Sequence, residues 1–414
     1  MCSSVTPRSD AAGSGEVILR KRSRWLNSTV LGIGLASFFS DLSHETVTSL
    51  LPGLLATLGV AAAALGTIEG VADGLSSVAK LYGGWWTDRL QRRKPLCAGG
   101  YGVMAAATLV IAAASHWTIV LSGRALAWVA RGLRTPPRKA LLAEAVEPQY
   151  FGRAFGLERM MDTLGAVVAP AATLLLLRAG YAQRELIFWA TIPALLAVLA
   201  IAILVRETPA REPHQHPLFD SYRGLPARYL RLLRWIGLFG AGDFAHSLMI
   251  LYATASLTQR LGTAEAAATA VALYVLHNAC YAASTYPAGF LADRWDKRKL
   301  LASGYGLGAL VALMLAWGAG SLPMLAAAFA LGGTYVGVEE TLEDSLAAEY
   351  VPARQRGAGF GLLAIVNGVG DLISSMLTGW LWAAAGHGVA FGVAGLLMAS
   401  GAVGIAVSRD ESKV

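Results

Sequence analysis

Long apolar stretches recur along the whole chain, and charged or turn-forming residues separate them. A helix needs roughly 20 consecutive apolar residues to cross the hydrocarbon core of a bilayer, so each stretch of that length predicts one membrane-spanning helix. The pattern therefore predicts an all-α membrane protein with about twelve transmembrane helices. The predicted spans are 28–57, 62–86, 95–115, 117–145, 153–178, 185–205, 232–259, 264–291, 299–319, 321–349, 357–385 and 388–408.

The composition agrees with a membrane location. Of the 414 residues, 55% are hydrophobic and 15% are charged, and the mean hydropathy is +0.51. A soluble chain carries about a quarter charged residues, so the soluble classes are excluded. The net charge of +7 is not gathered into a basic strip with interleaved aromatic residues, which argues against a nucleic-acid partner. Cys2, Cys97 and Cys280 are too scattered for a disulfide framework or a zinc finger.

The lysines and arginines between the spans fall mainly on one side. Because cytoplasmic loops are enriched in these residues, both termini and the loops that follow even-numbered spans are predicted to be cytoplasmic. The opposite loops hold little beyond Arg178, Arg184 and Arg260. The predicted cytoplasmic set includes Arg89, Arg92, Arg93, Lys94, Arg153, Arg206, Arg211, Arg223, Arg228, Arg294, Lys297, Arg298, Lys299, Arg354 and Arg356.

The chain divides into two helical bundles joined by a linker rich in proline and polar residues. His214 and His216 in this linker lack further metal ligands nearby, so we interpret them as part of a solvated connector. The predicted segments are a cytoplasmic tail at 1–24, a six-helix bundle at 25–206, a cytoplasmic linker at 207–230, a second six-helix bundle at 231–408 and a short cytoplasmic tail at 409–414.

An internal repeat relates the two bundles. The segment Gly84-Trp-Trp-Thr-Asp-Arg-Leu-Gln-Arg-Arg-Lys follows the second span, and Gly289-Phe-Leu-Ala-Asp-Arg-Trp-Asp-Lys-Arg-Lys follows the eighth, at an offset of 205 residues. At the same offset Glu144 aligns with Glu349. Two halves in parallel topology are typical of a transporter whose binding site lies between them.

Both repeated segments resemble the loop motif of the major facilitator superfamily, G-x-x-x-D-[RK]-x-G-x-[RK]-[RK]. Gln91 and Asp296 stand where the family usually has glycine. The resemblance implies two pseudo-symmetric six-helix bundles, a cytoplasmic gate at the motifs and function as a monomer. Resemblance to a bacterial branch of the superfamily implies the inner membrane. The matching gate residues are Gly84, Asp88, Arg89, Arg92, Arg93, Gly289, Asp293, Arg294, Lys297 and Arg298.

The fifth span carries a second, weaker resemblance. Gly156, Gly165, Ala169 and Pro170 are spaced as in the fifth-helix motif of the superfamily's antiporters, with alanine in place of the last glycine. The resemblance implies export by exchange. The same residues also fit a packing face of small side chains, and the sequence leaves both interpretations open.

Ionisable residues inside the spans are costly, so they are candidates for function. The first span holds Asp41, His44 and Glu45, and the seventh holds Asp243 and His246, so both contain D-x-x-H. This spacing places a carboxylate and an imidazole on one helical face, where they could share a proton or a metal ion. Resemblance brings the two pairs towards each other across a central cavity. Alternatively, each histidine bonds its own carboxylate or a neighbouring polar group.

The second and fourth spans carry most of the remaining charge in the first half. Glu69, Asp73 and Lys80 share one face of the second span. The fourth span contains Arg124, Arg131, Arg134 and Arg138, with Pro136-Pro137 predicting a kink or partial unwinding. Arg124 matches the superfamily's fourth-helix arginine, which resemblance links to proton coupling. These bases are expected to neutralise the acids of their own half.

The second half is acidic inside the membrane. The tenth span holds Glu339, Glu340, Glu343 and Asp344, with Asp243 and Asp371 on neighbouring spans and no lysine or arginine in those helices. We interpret Asp243 and Glu339 as proton carriers or substrate contacts. Glu343 and Asp344 are expected at a gate or the cavity mouth. At the 205 offset Arg134 aligns with Glu339 and Arg138 with Glu343, which predicts ion pairs that open and close during transport.

These observations predict a secondary transporter driven by the proton gradient, with no cofactor. The sequence lacks a P-loop, an H-E-x-x-H motif and a GxSxG elbow, so an enzyme is not predicted. The favoured substrate is a cation, a metal ion or an amphipathic drug-like molecule leaving the cell. Two alternatives stay open: an anionic metabolite or metal chelate clamped by Arg131 and Arg134, and a membrane receptor that does not transport.

Overall fold

The computed structural model describes residues 25–57, 62–90, 92–207, 217–318 and 320–408. These ranges fold into α-helices and contain no strand. The helices are α1 (Ser28–Thr57), α2 (Ala62–Arg89), α3 (Lys94–Ala112), α4 (Trp117–Glu144), α5 (Phe151–Arg178), α6 (Gln183–Trp189), α7 (Thr191–Leu204), α8 (Leu218–Arg223), α9 (Ala227–Gly240), α10 (His246–Leu261), α11 (Thr263–Ala292), α12 (Lys297–Ala316), α13 (Leu322–Tyr350), α14 (Arg356–Ala385) and α15 (His387–Val407).

Ten of the predicted spans each correspond to one long helix, and the sixth and seventh are each divided in two. The seventh is interrupted by residues 241–245, between α9 and α10. This break packs against α14, where Ser374 Oγ donates to the Asp243 carbonyl at 2.6 Å and Ser375 Oγ accepts from the Ala245 amide at 3.2 Å. Irregular backbone is tolerated at membrane depth because a neighbouring helix supplies the missing partners.

The fourth span does not unwind, although the sequence predicted a kink or partial unwinding there. Helix α4 continues through Pro136 and Pro137 to Glu144. It packs closely on α2, where a Cβ at Gly132 would lie 2.6 Å from the Ser76 carbonyl and a Cβ at Gly83 would lie 2.8 Å from the Leu133 carbonyl. We attribute the continuity to this contact, because neighbouring helices can support the backbone around proline.

The helices form two bundles that follow the internal repeat. Helices α1 to α7 pack on one another in the first half, and α9 to α15 pack in the second. Helix α8 lies in the predicted linker and contacts α2 and α14. The halves meet chiefly along two helix pairs, α2 with α14 and α5 with α11, and α13 and α14 also contact α5 and α4. The second pair repeats the first with the halves exchanged, since α11 corresponds to α2 and α14 to α5 under the 205 offset.

The outer surface is apolar. Ile203 is 72% exposed and Met376 is 66% exposed, which suits contact with lipid. Helix α4 carries too many basic residues to meet a simple hydropathy criterion for a membrane span. Seven described segments are long and apolar enough to cross a membrane: Lys94–Ala112, Pro148–Arg178, Gln183–Leu204, Lys297–Ala316, Leu322–Tyr350, Ala353–Ala385 and His387–Val407.

Candidate functional site between the two halves

The first loop motif joins the two halves at one end of the molecule, called here the motif end. The Asp88 carboxylate accepts hydrogen bonds from the amides of Gly357 (2.8 Å) and Ala358 (2.7 Å) at the start of α14. Carboxylates are favoured there because the first amides of a helix are unpaired and carry positive partial charge. Gly84 is required beside this cap, since its Cβ would lie 2.5 Å from the Gly357 carbonyl oxygen.

The second motif makes the same connection with the halves exchanged. Asp293 accepts from the amides of Gly152 (2.8 Å) and Arg153 (3.2 Å) at the start of α5, and Arg153 Nε lies 3.0 Å from its carboxylate. Burial raises the pKa of the Asp293 carboxyl, while these donors favour its charged form. A Cβ at Gly289 or Gly152 would overlap the facing backbone. Two pseudo-symmetric glycine contacts therefore close the motif end.

The basic residues of the motifs have varied roles. Arg93 is buried, forms an ion pair with Glu144 and lies 3.7 Å from Asp88. Lys297 pairs with Glu349 at 2.8 Å, so the aligned acids Glu144 and Glu349 both bind a motif base. Of the others, Arg89 lies over the Trp85 ring, Arg92 is exposed, Arg294 lies over the Phe290 ring and Arg298 donates to the Ser408 carbonyl at 2.7 Å.

A polar cavity of about 320 Å³ lies between the two halves. The first half contributes α2, α4 and α5, and the second half contributes α13 and α14. Charged and amide side chains form most of its lining, so it differs from the apolar pocket expected for a drug-like molecule. The lining residues are Lys80, Trp128, Arg131, Thr135, Arg138, Lys139, Arg159, Asp162, Glu340, Glu343, Asp344, Leu363, Ala364, Asn367, Gly368 and Asp371.

Ion pairs cross this cavity from one half to the other. Lys139 Nζ lies 2.5 Å from Asp344, and these two positions are related by the 205 offset. Arg159 lies 3.1 Å from Glu340 and 3.8 Å from Asp344. The sequence indicated that the acids of α13 have no basic partner in their own half, and among the described residues this holds for Glu340 and Asp344. Their cations come from the other half, which a comparison of each half by itself could not reveal.

The predicted pairs of Arg134 with Glu339 and of Arg138 with Glu343 do not form. Arg138 instead pairs within its own half, with Glu158 at 2.9 Å and Asp162 at 3.6 Å. The Arg134 guanidinium donates to Ser40 Oγ at 2.8 Å and stacks on the Tyr101 ring, with no carboxylate among its described partners.

The proposed clamp of Arg131 and Arg134 is not assembled either. Arg131 lines the cavity and pairs with Asp41 at 3.2 Å, while Arg134 is 1% exposed and lies behind the wall. The two guanidinium groups are one helical turn apart on α4, but only one of them reaches the space where a solute could bind.

Of the carboxylates in or beside the cavity, four in the second half have no ion pair with any described residue: Asp243, Glu339, Glu343 and Asp371. Glu343 accepts hydrogen bonds from the Tyr305 hydroxyl and from Asn367 Nδ2 (2.6 Å), and it lines the cavity. Asp243 accepts from the Tyr335 hydroxyl at 2.7 Å and lies with Glu339 behind the wall. Glu343 was expected at a gate or the cavity mouth; it lines the cavity, where donors of its own half hold it.

The two D-x-x-H pairs are not equivalent. Asp41 and His44 share helix α1, but Asp243 lies in the break and His246 begins α10. The His246 ring packs 4.4 Å from His277, away from the cavity lining. None of the four residues in these pairs is in the lining of the described cavity, so the structure does not place the two pairs on facing walls of it. The described part of the chain contains no group of three His, Cys, Asp or Glu residues able to hold a metal ion.

Arg124 lies in a polar cluster of the first half. Its guanidinium donates to Thr48 Oγ1 at 2.8 Å and lies 3.4 Å from His44 Nδ1. The His44 ring packs edge-on against Trp128 at 5.0 Å, and its Nε2 lies 3.9 Å from Glu45. The histidine therefore bonds neighbouring polar groups, which was the simpler of the two predicted roles.

Some predictions fall outside what the structure describes. The side chains of Glu69 and Asp73 on α2 are not among the described atoms, and His214 and His216 lie in the undescribed stretch 208–216. In α5, Gly156 and Gly165 serve close packing. A Cβ at Gly156 would lie 2.6 Å from the Thr285 carbonyl of α11, and one at Gly165 would overlap the Phe38 carbonyl of α1.

Several residues of the site escaped the sequence prediction. Arg159 and Glu158 belong to an apparently ordinary segment in the first turns of α5, and Lys139 follows a run of arginines. The 205 offset does connect Lys139 with Asp344, so the repeat contained the signal for this pair. No sequence signal identifies Tyr305 or Asn367 as partners of Glu343.

Comparison with known proteins agrees with this architecture. The family model described as Major Facilitator Superfamily matches residues 33–247 and 234–413. The fold of two helical bundles around a central cavity is that of a membrane transporter. The chain belongs to the major facilitator superfamily, whose fold has twelve helices.

Similar proteins include an archaeal relative and two transporters of known structure. An uncharacterized MFS-type transporter of Methanocaldococcus jannaschii, MJ1317, is 26% identical over 363 residues, which is 87% of this chain and 89% of that protein. The Escherichia coli fucose:proton symporter FucP superposes with a TM-score of 0.72 at 15% identity, over 92% of this chain and 98% of that chain. The human organic anion transporter MFSD10 (TETRAN) superposes with a TM-score of 0.69 at 17% identity, over 91% of this chain and 99% of that chain. These solved structures share the fold.

Proposed function

We propose that the protein exports a small polar solute in exchange for protons, by alternating access of the central cavity. The observation that carries the proposal is the cavity itself, which holds charged groups of both halves and lies beside a closed motif end. If the motif end faces the cytoplasm, as the loop charges predict, the described conformation is shut towards the cytoplasm. Transport then requires the glycine contacts and the cross-cavity ion pairs to separate.

Carboxylates without a cationic partner support proton coupling. A desolvated carboxylate without a counter-ion is stabilised by taking up a proton. Asp243, Glu339 and Glu343 meet this condition within the described ranges, whereas Asp41 pairs with Arg131. We assign the coupling function to the group in the second half. Arg131 belongs to the first-half wall, and Arg124 belongs to the polar cluster with His44 and Thr48.

A positively charged solute fits the acidic side of the cavity best. Glu343 and Asp371 line the cavity without an ion pair to a described residue. A metal ion is less well supported, since the described residues offer no cluster of three ligands. An amphipathic drug is less well supported because the wall is mainly polar. We therefore narrow the substrate to a small polar molecule that carries a positive group.

The test is proton-driven flux in proteoliposomes carrying the Asp243→Asn variant. We expect pH-gradient-driven transport to fall to the level seen without a gradient, with the yield of folded protein unchanged. Asp220→Asn, at an exposed position of α8, is the matched control. Unchanged coupling in Asp243→Asn would refute the assignment of this carboxylate. If no solute causes proton release by the wild-type protein, exchange is refuted.

A further inference from the structure

The cavity has walls of opposite charge, each belonging to one half. Helices α2, α4 and α5 of the first half supply every basic residue of the lining, while α13 and α14 supply every acidic residue except Asp162. Most of these charges neutralise one another in the ion pairs that involve Lys139, Arg138 and Arg159. The ionisable groups that are not used in these cross-cavity pairs and that reach the cavity decide which solute it favours.

The second-half wall holds two carboxyl groups that form no ion pair within the described ranges. Glu343 is 2% exposed, and its described partners are the neutral donors Tyr305 and Asn367. Asp371 is accessible on the same wall, and the cation that acts on its carboxylate is Lys80 of the first-half wall. An ammonium group placed between Glu343 and Asp371 would stabilise their charged forms, so its binding would favour release of a proton.

The first-half wall presents a guanidinium group to the cavity. Arg134 is fully buried behind this wall. Its hydrogen-bond and ring partners are Ser40 Oγ, the Met104 sulfur and the Tyr101 ring, and Asp41 is the carboxylate that acts on its charge. Its Nη1 has no hydrogen-bond partner. Arg131, with 23% of its side chain exposed, presents the neighbouring guanidinium to the cavity while it pairs with Asp41 on its far side. A solute carboxylate would be stabilised here.

A solute of a single charge gains at one wall and loses at the other, because the field of the cavity runs from the first half to the second. A dipolar solute gains at both walls. The volume of about 320 Å³ lies near the lower end of the range for ligand pockets, which suits a molecule of amino-acid size. Three properties agree on one class of ligand: walls of opposite charge, an ionisable group on each wall that reaches the cavity, and a small volume.

We infer that the substrate is a zwitterion of amino-acid size, with its ammonium group at Glu343 and Asp371 and its carboxylate at Arg131. The inference rests on the proposed function, since it takes the central cavity to be the transport site. Such a solute would bridge the two halves directly. Binding would therefore favour a conformation in which both walls approach the solute, which is the requirement for an occluded intermediate.

The experiment compares matched ligands of three charge types on purified full-length protein. Each common amino acid with an uncharged side chain is tested beside its amide, which is a cation, and its N-acetyl derivative, which is an anion, by the shift in melting temperature as a function of concentration. We expect at least one amino acid to bind about tenfold or more tightly than both of its derivatives. Equal or tighter binding of the amides or of the N-acetyl derivatives, or no binding of any amino acid, would overturn the inference.

Two variants identify which wall binds the ammonium group of the ligand and which wall binds its carboxylate. Arg131→Lys keeps a charge beside Asp41 but lacks the guanidinium fork that binds a carboxylate through two parallel hydrogen bonds. This variant should weaken binding of the amino acid and leave binding of its amide unaffected. Glu343→Gln should weaken binding of the amino acid and leave binding of its N-acetyl derivative unaffected. If each variant weakened all three ligands equally, the assignment of the walls would be wrong.

Exchange in proteoliposomes separates this inference from the proposed function. Binding of an amino acid without exchange of the radiolabelled amino acid would refute transport and leave the ligand class intact. Exchange of an amide without exchange of its amino acid would refute the zwitterionic ligand class and leave transport intact. Exchange of both the amino acid and the proton is the result expected if both proposals hold.

Discussion

At the scale of single residues, the informative groups are buried charges whose partners are neutral. Glu343 accepts from Tyr305 and Asn367, and Arg134 contacts Ser40 and Tyr101. Burying an ion without a counter-ion is costly, so such residues persist where function requires them or where hydrogen bonds compensate. The sequence singled out both residues as intramembrane charges, but it assigned them partners that the structure does not provide.

Glu343→Gln is expected to uncouple transport from the proton gradient. The amide keeps the shape of the side chain and an oxygen that accepts from Tyr305, so folding should be retained, but it cannot bind and release a proton. Proton release measured with a pH-sensitive dye inside proteoliposomes should lose its dependence on added solute. Exchange of unlabelled for labelled solute would persist, with weakened affinity.

The matched control for this variant is Glu265→Gln, at an exposed position in the first turn of α11. It makes the same chemical change outside the cavity and should leave proton release at the wild-type rate. Full coupling in Glu343→Gln would show that this carboxylate is a structural acceptor for Tyr305 and Asn367 only.

At the scale of elements, glycine contacts within two helix pairs hold the motif end closed. Gly84 of α2 meets Gly357 of α14, and Gly152 of α5 meets Gly289 of α11. Small residues allow helices in a membrane to approach this closely. Each contact lies beside a carboxylate that caps the facing helix, so the loop motif combines a steric requirement with a helix-terminus ion site.

Gly357→Ala is expected to prevent closure of the motif end and to reduce transport at least about tenfold, the effect of a barrier change near 1.4 kcal/mol. The added Cβ would overlap the Gly84 backbone, although the amide that bonds Asp88 is kept. Closure is measured in a Leu363→Cys background as labelling of this cavity residue from the motif end by an impermeant maleimide. Labelling should increase.

Gly379→Ala provides the control on the same helix, because a Cβ at that position meets nothing within 4 Å. Alanine is favoured over glycine in a helix by about 1 kcal/mol at both sites, so helix propensity does not distinguish the two variants. Equal transport and labelling in both would show that the motif end does not depend on this contact.

At the scale of the whole molecule, the two halves exchange charge across the cavity. Lys139 pairs with Asp344, and Arg159 pairs with Glu340, so the basic half and the acidic half neutralise each other only when assembled. The Lys139 and Asp344 positions are equivalent under the repeat, which makes this pair a contact between corresponding helices, α4 and α13. Opening the cavity on this side must break it.

A double-mutant cycle with Lys139→Gln and Asp344→Asn should show coupling. Removing one partner of a buried ion pair costs about 3–5 kcal/mol because the other charge is left buried, so each single variant should lower the melting temperature and increase labelling in the Leu363→Cys background. The double variant should be no worse than the more affected single variant.

Lys297→Gln and Glu349→Gln supply the comparison cycle, because that pair lies within the second half. Neutralising it can alter stability but should leave labelling of the cavity unchanged. Additive effects in the Lys139 and Asp344 cycle, or equal labelling in both cycles, would mean that the cross-cavity pair does not hold the halves together.

The sequence by itself determined the helical membrane fold, the repeat and the helices that carry each charge. These follow from local rules, since apolar length decides the spans and the repeated motif relates the halves. Only the tertiary structure decided the partners. Asp88 and Asp293 bond amides of the opposite half, Arg138 pairs with Glu158, and the break at 241–245 separates Asp243 from His246. A partner depends on which distant helices become neighbours, because hydrogen bonds and ion pairs act over a few ångströms, whereas the pattern along one chain specifies each helix separately.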